Sequence, residues 1–221
     1  NHILNVSYDP IDYPPQLFSS KDKRPVLYID PVVDKREFAV EKTRLDGTIK
    51  SGRFKEDSTL YSEVNNLLGF KFQHRTSKPP AEIIREALET EIHRFGIKTV
   101  KDRGLADGVL KASIEEFIHS PSTAFPFIKI NLDLYQTGFD DPVWSGMLKG
   151  KTVGNEGSGW GAGLNYALNK AIKQWYNYPG FQQALVSLSG NISSPSSPQP
   201  PKSKNIAIAT GTGFLFGSQD Y

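Results

Sequence analysis

The sequence contains no cysteine and only one methionine among its 221 residues. Disulfides, thiolate zinc sites and cysteine nucleophiles are therefore excluded from it. A strong charge of either sign is missing as well, because 26 Lys and Arg stand against 24 Asp and Glu, a formal net charge of +2. This balance disfavours a protein that binds nucleic acid mainly by neutralising phosphates.

Long apolar runs are also absent. No segment approaches the roughly 18 consecutive apolar residues that a membrane-spanning helix requires, and the mean hydropathy is −0.42. With 38% hydrophobic and 23% charged residues, 19 Gly and 15 Pro, the composition is typical of one globular domain with irregular extensions. Because the first residue is Asn1, we expect any signal peptide or lipid-bearing cysteine to lie upstream of it.

The N-terminal part of the chain divides into an arm, a strand and a polar stretch. Residues 1–24 mix proline with aromatics, which indicates an extended arm without regular structure that lies against the body. Residues 25–33 are apolar and β-rich, which predicts a central strand buried on both faces. The polar residues up to 78 predict a hairpin or long loop around residues 48–54.

A change of period marks the first helix. From residue 79, apolar residues recur at three- and four-residue steps, with Pro80 in the first turn and Gly96 at the C-terminal stop. Residues 97–100 are short and β-like. Strand, helix and strand together predict a right-handed crossover that places residues 97–100 parallel to the first strand.

Three extended segments follow, at residues 107–118, 127–135 and 143–153, and they predict an antiparallel meander. In the first segment one face is expected to carry Leu110, Ala112, Ile114 and Ile118. In the second, apolar residues alternate with Lys129, Asn131 and Asp133, so the polar side is expected to meet water.

A second amphipathic helix is predicted over residues 160–175, with Trp160 and Trp175 on its apolar stripe, and residues 178–180 break it before a short helical turn within 181–188. The predicted fold class is therefore α+β: a mixed β-sheet with one βαβ crossover and an antiparallel meander, and two amphipathic helices packed on one face.

The composition shifts after Gly190. Residues 191–204 contain four Pro and five Ser and predict a Pro/Ser-rich linker. Residues 205–221 are β-branched and aromatic again. The predicted organisation is an arm (1–24), an α+β domain (25–190), the linker and a β-like tail (205–221), which we interpret as the first strand of a second domain.

The order of short motifs along residues 25–190 resembles that of YajG-like bacterial envelope lipoproteins, and more widely that of LpoB-type lipoproteins. The motifs that carry this resemblance are Asp34-Lys35-Arg36 at the end of the first strand, Asn65-Asn66 with Gly69, His93-Arg94-Phe95-Gly96-Ile97, Ala106-Asp107-Gly108-Val109-Leu110, Glu115-Glu116-Phe117 and the Trp-rich second helix. The resemblance implies a non-catalytic binding or scaffolding domain, periplasmic or anchored at the outer membrane by an N-terminal lipid.

The tail resembles a different family. Residues 210–216 (TGTGFLF), followed by Asp220 and Tyr221, are similar to the GTGF strand that opens trypsin-like and HtrA-type serine peptidase domains. That family places its catalytic His, Asp and Ser after this strand, and no catalytic role is carried over to the present residues. The resemblance implies an alternative function, the N-terminal accessory or regulatory region of a longer serine peptidase. A Gly-rich edge strand is the simpler interpretation of the same residues.

No spacing in the sequence assembles a catalytic, metal or cofactor site. The four histidines are scattered, which favours structural or surface roles for His2, His74, His93 and His119. The glycines around Ser158 fit neither nucleotide-loop pattern, and Ser158 is expected to cap the second helix. Asp140 and Asp141 precede a proline, where local turn hydrogen bonds are expected. No cofactor is predicted.

Two segments are candidates for partner binding. Tyr176, Tyr178 and Phe181 flank the Pro-Gly break and form a candidate partner surface, because amphipathic aromatics are favoured at interfaces. Four alternating apolar residues of the tail form a candidate strand-addition segment that adds to the sheet of this body or of a second copy: Ile206, Ile208, Phe214 and Phe216. The expected partner is an envelope protein or a downstream peptidase domain, with homo-oligomers formed through the C-terminal strand and membrane contact only through a lipid anchor.

Overall fold

The computed structural model of the protein describes residues 2–10, 18, 23–39, 51–53, 60–65, 71–119, 126–152 and 160–190. These residues contain eleven strands and three α-helices, with short 3₁₀ turns at Arg103–Leu105 and Gln174–Asn177. The strands are β1 (His2–Leu4), β2 (Val26–Ile29), β3 (Val33–Asp34), β4 (Glu37–Ala39), β5 (Ser51–Arg53), β6 (Leu60–Asn65), β7 (Lys71–Thr76), β8 (Lys98–Val100), β9 (Gly108–His119), β10 (Pro126–Gln136) and β11 (Pro142–Lys151). The helices are α1 (Pro80–Arg94), α2 (Trp160–Lys173) and α3 (Pro179–Leu188).

The main sheet is mixed, in the order β11-β10-β9-β2-β8, with β3 pairing to β9. Strand β2 lies parallel to both β8 and β9, whereas β9, β10 and β11 form an antiparallel meander. Helix α1 precedes β8, which pairs in parallel with β2, so the predicted βαβ crossover is confirmed, as is the meander. The α+β class is confirmed with them. The right-handedness of the crossover stays a prediction.

Helix α1 ends where its sequence predicts. Gly96 adopts a φ of 76°, a left-handed conformation that side chains with a Cβ disfavour. The Gly96 amide donates to the His93 carbonyl and the Ile97 amide donates to the Ile92 carbonyl. These two bonds satisfy the last carbonyls of the helix in a Schellman arrangement. At the other end, Pro80 occupies the first turn, where its missing N–H costs nothing.

A single hydrophobic core lies between one face of the sheet and the helices. On β10 the core-facing residues alternate with half-buried ones, and the fully buried set is Ile128, Ile130, Leu132 and Leu134. Helix α2 packs a stripe of small and branched residues over β10 and β11. Strand β2 alternates too, because Leu27 and Ile29 are buried while Val26 and Tyr28 are only half-buried. The expected burial of this strand on both faces is therefore wrong.

A β-bulge shifts the phase of β9. Ile130 pairs with Ile114, but the neighbouring Lys129 pairs with Glu116, so one residue of β9 is left over. After the bulge the core face carries Phe117, which is fully buried opposite Ile128. The expected in-phase alternation from Leu110 to Ile118 is interrupted by this extra residue.

Other expectations need correction or lie outside the described residues. Strand β1 pairs in parallel with β7, and β7 pairs antiparallel with β6, so regular structure occurs both in the arm and in the polar stretch. The predicted short turn is the ten-residue helix α3. The linker, the tail and Ser158 lie outside the described residues, as does the side chain of Trp160.

Candidate functional site

An aromatic cluster lies where the edge strand β11 meets the start of α3. Trp144 on β11 packs edge-on against Tyr178, with ring centroids 5.8 Å apart, and against Phe181 at 4.8 Å. Phe181 in turn lies 4.8 Å from Trp175. The cluster therefore runs from the rim of the sheet into the core.

The three residues predicted as a partner surface have different positions in this cluster. Phe181 is fully buried, because α3 turns it toward Trp144 and Trp175, so its expected place on an exposed surface is wrong. Tyr178 is half-buried at the rim. The side chain of Tyr176 lies outside the described residues.

Exposed apolar side chains continue this rim at the end of the β10–β11 hairpin. Phe139, in the turn between the strands, is 62% exposed, and Val143, at the start of β11, is 43% exposed. Val143 is left unpaired where the register of the hairpin shifts, because Pro142 pairs with Tyr135 and Trp144 pairs with Leu134. We call Phe139, Val143, Trp144 and Tyr178 the hairpin patch.

The middle of the β11 edge is covered by side chains. The Tyr178 hydroxyl donates to the Met147 carbonyl at 2.8 Å, and the Gln174 side-chain oxygen accepts from the Lys149 amide at 3.0 Å. The Met147 carbonyl and the Lys149 amide point to the side of β11 that faces away from β10. An added strand would bind on that side. These bonds protect this stretch of the edge against pairing with another chain.

The face of the sheet opposite the helices is polar, as its sequence predicts. The Ser145 hydroxyl donates to Asp133 at 2.6 Å across β10 and β11, and the Lys111 ammonium lies 4.2 Å from the centre of the Tyr135 ring. Burial raises the pKa of the Tyr135 phenol above its ordinary value of 10.0, and the negative charges of Asp133 and Asp141 raise it further.

The bulge on β9 gathers a small polar group on the same face. Glu115 accepts hydrogen bonds from Ser113 at 3.0 Å and from the Asn131 amide at 2.8 Å, and Lys35 lies 3.6 Å away. The alternation of β9 ahead of the bulge predicts polar residues on this face. It does not predict that Glu115, the extra residue, contacts side chains on both β9 and β10.

The Asp34-Lys35-Arg36 motif contains a buried ion pair. Arg36 donates from Nε to one Asp34 oxygen at 2.8 Å and from Nη2 to the other at 2.6 Å. A further Arg36 nitrogen reaches the Phe117 carbonyl at 3.5 Å, and the guanidinium lies 5.7 Å from the Phe117 ring. Both charged side chains are almost completely buried. The motif therefore contacts β9 at Phe117, just after the bulge.

Within the part of the chain that the structure describes, no group of three or more His, Asp or Glu side chains is placed to hold a metal ion. His93 is exposed, and its Nε2 lies 2.8 Å from the Thr99 hydroxyl. His2, His74 and His119 have side chains outside the described set. Within the described helices, none is both long and apolar enough to cross a membrane.

Sequence reasoning missed three members of the hairpin patch: Phe139, Val143 and Trp144. Phe139 sits in a turn otherwise built from Gly138, Asp140 and Asp141, and an apolar aromatic among turn-forming residues is the signal that points to it. The pattern of residues 143–153 predicts a strand, but not that Val143 is exposed on it. Its exposure follows from the edge position of β11, which the sequence does not reveal.

No protein-family model matches the chain, and no curated protein matches it either. Three solved structures illustrate its similarities. A DUF330 protein from Xanthomonas campestris is 13% identical, with a TM-score of 0.47 over 86% of this chain and 95% of that one. PelC from Paraburkholderia phytofirmans, a dodecamer, is 11% identical, with a TM-score of 0.37 over 68% and 87%. Lipoprotein GNA1162 from Neisseria meningitidis is 15% identical, with a TM-score of 0.30 over 70% and 99%.

Proposed function

We propose that this chain is a non-catalytic binding or scaffolding domain of the bacterial envelope, and that it binds a protein partner through the hairpin patch. The observation that carries the proposal is the exposure of Phe139 and Val143 at the end of the hairpin that also carries Trp144, whose ring packs against the half-buried Tyr178. Aromatic side chains that bury one end and expose the other are favoured at protein interfaces.

The envelope location in this proposal is supported by the order of motifs over residues 25–190, which resembles that of YajG-like and LpoB-type lipoproteins. Asp34 and Arg36, the first of these motifs, form the buried ion pair beneath the bulge. The partner is then another envelope protein, and attachment to the membrane is through an N-terminal lipid.

Recognition in this proposal is by side chains, not by strand addition to the middle of β11. Tyr178 and Gln174 already occupy the outward backbone groups of Met147 and Lys149. A partner that seats on Phe139 and Val143 leaves those bonds in place, whereas an added strand has to break them.

The experiment is site-specific photo-crosslinking in the bacterium that produces the protein. A photoreactive amino acid replaces Phe139, Val143 or, as the matched control, Tyr166, an exposed aromatic on α2. We expect one defined protein to be crosslinked from positions 139 and 143 and not from 166, and to bind the purified chain. A folded, correctly located chain that crosslinks equally from all three positions, or from none, contradicts the proposal.

The tail supports a second candidate function, an accessory region of a longer trypsin-like serine peptidase, through its resemblance at residues 210–216. Reading both terminal sequences and the intact mass of the native protein tests this. A chain that continues with His, Asp and Ser in the trypsin-like order supports the accessory role. A native C-terminus at Tyr221 contradicts it.

Strand addition by Ile206, Ile208, Phe214 and Phe216 stays a proposal about self-association. Deleting residues 205–221 is then expected to reduce the oligomer mass measured by light scattering. An unchanged mass contradicts it.

A further inference from the structure

The N-terminal segment of residues 2–10, which we call the strap, lies along the helices as an extended peptide. After β1 pairs with β7, the Leu4 carbonyl accepts from the Ser77 amide at 2.9 Å. The strap then passes beside α2 and reaches α1. Val6 is buried in the hydrophobic core, which fixes the strap at its middle.

Helix α2 offers the strap a row of side chains at a matching spacing. The Asn165 side-chain oxygen accepts from the Ser7 amide at 3.0 Å, and the Asn169 oxygen accepts from the Asp9 amide at 3.1 Å. Gly161, one turn earlier, faces the Asn5 carbonyl. Four helical residues advance about 6 Å and two extended residues advance about 6.6 Å, so the two repeats stay in register. Side chains of α2 thus accept hydrogen bonds from alternate backbone amides of the strap, as carbonyl groups of a neighbouring strand would.

Helix α1 recognises one side chain of the strap. The Tyr8 hydroxyl donates to Glu91, a fully buried carboxylate that also accepts from Arg94 at 2.6 Å. A buried carboxylate is costly unless donors surround it. Glu91 therefore selects a residue with a hydroxyl at the end of a long side chain, two positions after a small apolar one.

We propose that the surface between α1 and α2 is a peptide-binding site for an extended segment of the type Val-x-Tyr, and that its occupant in trans is the strap of a second copy of this chain. All of the contacts that define the site are made by one short extended segment, through backbone amides, one apolar side chain and one hydroxyl. None of them depends on the strap belonging to the same molecule, and exchange of an identical element between copies is a low-cost route to association.

Two full-length variants with complementary defects test the exchange. Val6→Asp with Tyr8→Ala weakens the strap and leaves the site intact, whereas Asn165→Ala with Asn169→Ala weakens the site and leaves the strap intact. We expect each variant alone to sediment as a smaller species than the wild type. We expect an equimolar mixture of the two variants to form a one-to-one complex. A mixture that sediments as the sum of its two components overturns the exchange between copies.

A fluorescent peptide of residues 1–10 tests the site itself. We expect it to bind the weakened-strap variant at least tenfold more tightly than the wild type, whose own strap competes. Adding Asn165→Ala and Asn169→Ala to that variant should reduce binding at least tenfold, and the neighbouring Lys170→Ala should leave it unchanged. Binding no tighter than that of a scrambled peptide overturns the site.

If the strap variants unfold, amide hydrogen exchange of the full-length wild type tests the hydrogen bonds between the strap and α2. We expect the Ser7 and Asp9 amides to be protected, and Asn169→Ala to release the Asp9 amide by tenfold or more while Ser7 stays protected. Exchange of both wild-type amides at the rate of an unstructured peptide contradicts recognition by α2.

Discussion

At the scale of single residues, the fold buries two opposite charges that compensate each other. Asp34 and Arg36 are two residues apart, yet both side chains are removed from water and joined by three hydrogen bonds. Removing one partner of such a pair is far more destabilising than replacing both, because the remaining charge keeps its desolvation cost and loses its compensation.

Arg36→Leu is accordingly expected to lower the free energy of unfolding by about 3–5 kcal/mol. Urea denaturation measures this loss. The double variant Asp34→Val with Arg36→Leu serves as the control, and we expect it to be more stable than Arg36→Leu alone. Equal stabilities of the wild type and Arg36→Leu would show that the pair does not support the bulge.

The Tyr135 phenol gives the protein a dependence on alkaline pH. Its folded-state pKa is raised, first by burial and then by Asp133 and Asp141, so the folded chain favours the neutral phenol. The stabilisation is complete below the unfolded pKa of about 10 and is lost as the pH rises through the folded pKa.

We therefore expect the unfolding free energy of the wild type to fall as the pH rises above about 10, and Tyr135→Phe to show a shallower fall. Urea denaturation at about pH 9 and at about pH 11 measures the difference. Parallel losses in the two proteins would mean that Tyr135 titrates alike in the folded and unfolded chains.

At the scale of elements, the approach of α2 to β11 depends on a missing side chain. A Cβ on Gly150 would lie 1.8 Å from the Ala167 carbonyl oxygen. No real contact is that short, so Gly150→Ala has to push the helix away from the sheet. Gly161, within α2, is different, because a Cβ there meets the Asn5 carbonyl oxygen and the Leu4 Cδ2 atom, both at 3.9 Å, which is ordinary van der Waals contact.

Gly150→Ala is expected to destabilise the chain by at least about 2 kcal/mol, as overpacking in a core does. Gly161→Ala is expected to be neutral or to stabilise the helix by up to about 1 kcal/mol. Thermal unfolding of the two variants beside the wild type makes the comparison. A Gly150→Ala variant that melts with the wild type would contradict the close contact between α2 and β11.

The elements that the sequence predicts are those with a strong local period. The stripe of α1, the alternation of β10 and the positions of Pro80 and Gly96 fix these elements before any tertiary contact is known. The bulge at Glu115 escapes prediction, because only pairing with β10 reveals the extra residue. Strand β1 escapes for a similar reason, since three residues become a strand only when β7 lies beside them.

The candidate binding surfaces are harder to predict than the elements. Tyr178 sits at the rim as the Pro-Gly break suggests, but Phe181, three residues later, turns inward onto Trp144 and Trp175. Which aromatic is exposed depends on the direction in which α3 leaves the break. The register of Asn165 and Asn169 with Ser7 and Asp9 joins segments more than 150 residues apart, and no local pattern announces it.

At the scale of the whole molecule, the described part of the chain keeps its hydrophobic core apart from its exposed apolar side chains. One face of the main sheet holds the core with three helices over it, while the other face is polar. The side chains of Tyr178 and Gln174 protect the edge of β11, and the apolar groups next to it stay exposed at the hairpin end. An exposed apolar rim beside a protected edge favours a surface that a partner covers in the cell.

Hydroxyl-radical footprinting in living cells tests that claim most directly. Phe139 oxidation in the producing bacterium is compared with its oxidation in the purified chain, and Tyr166 serves as the internal control. We predict that Phe139 is oxidised several-fold less in cells than in the purified protein, while Tyr166 is oxidised alike in both. Equal oxidation of Phe139 in the two settings would contradict a partner on the hairpin patch.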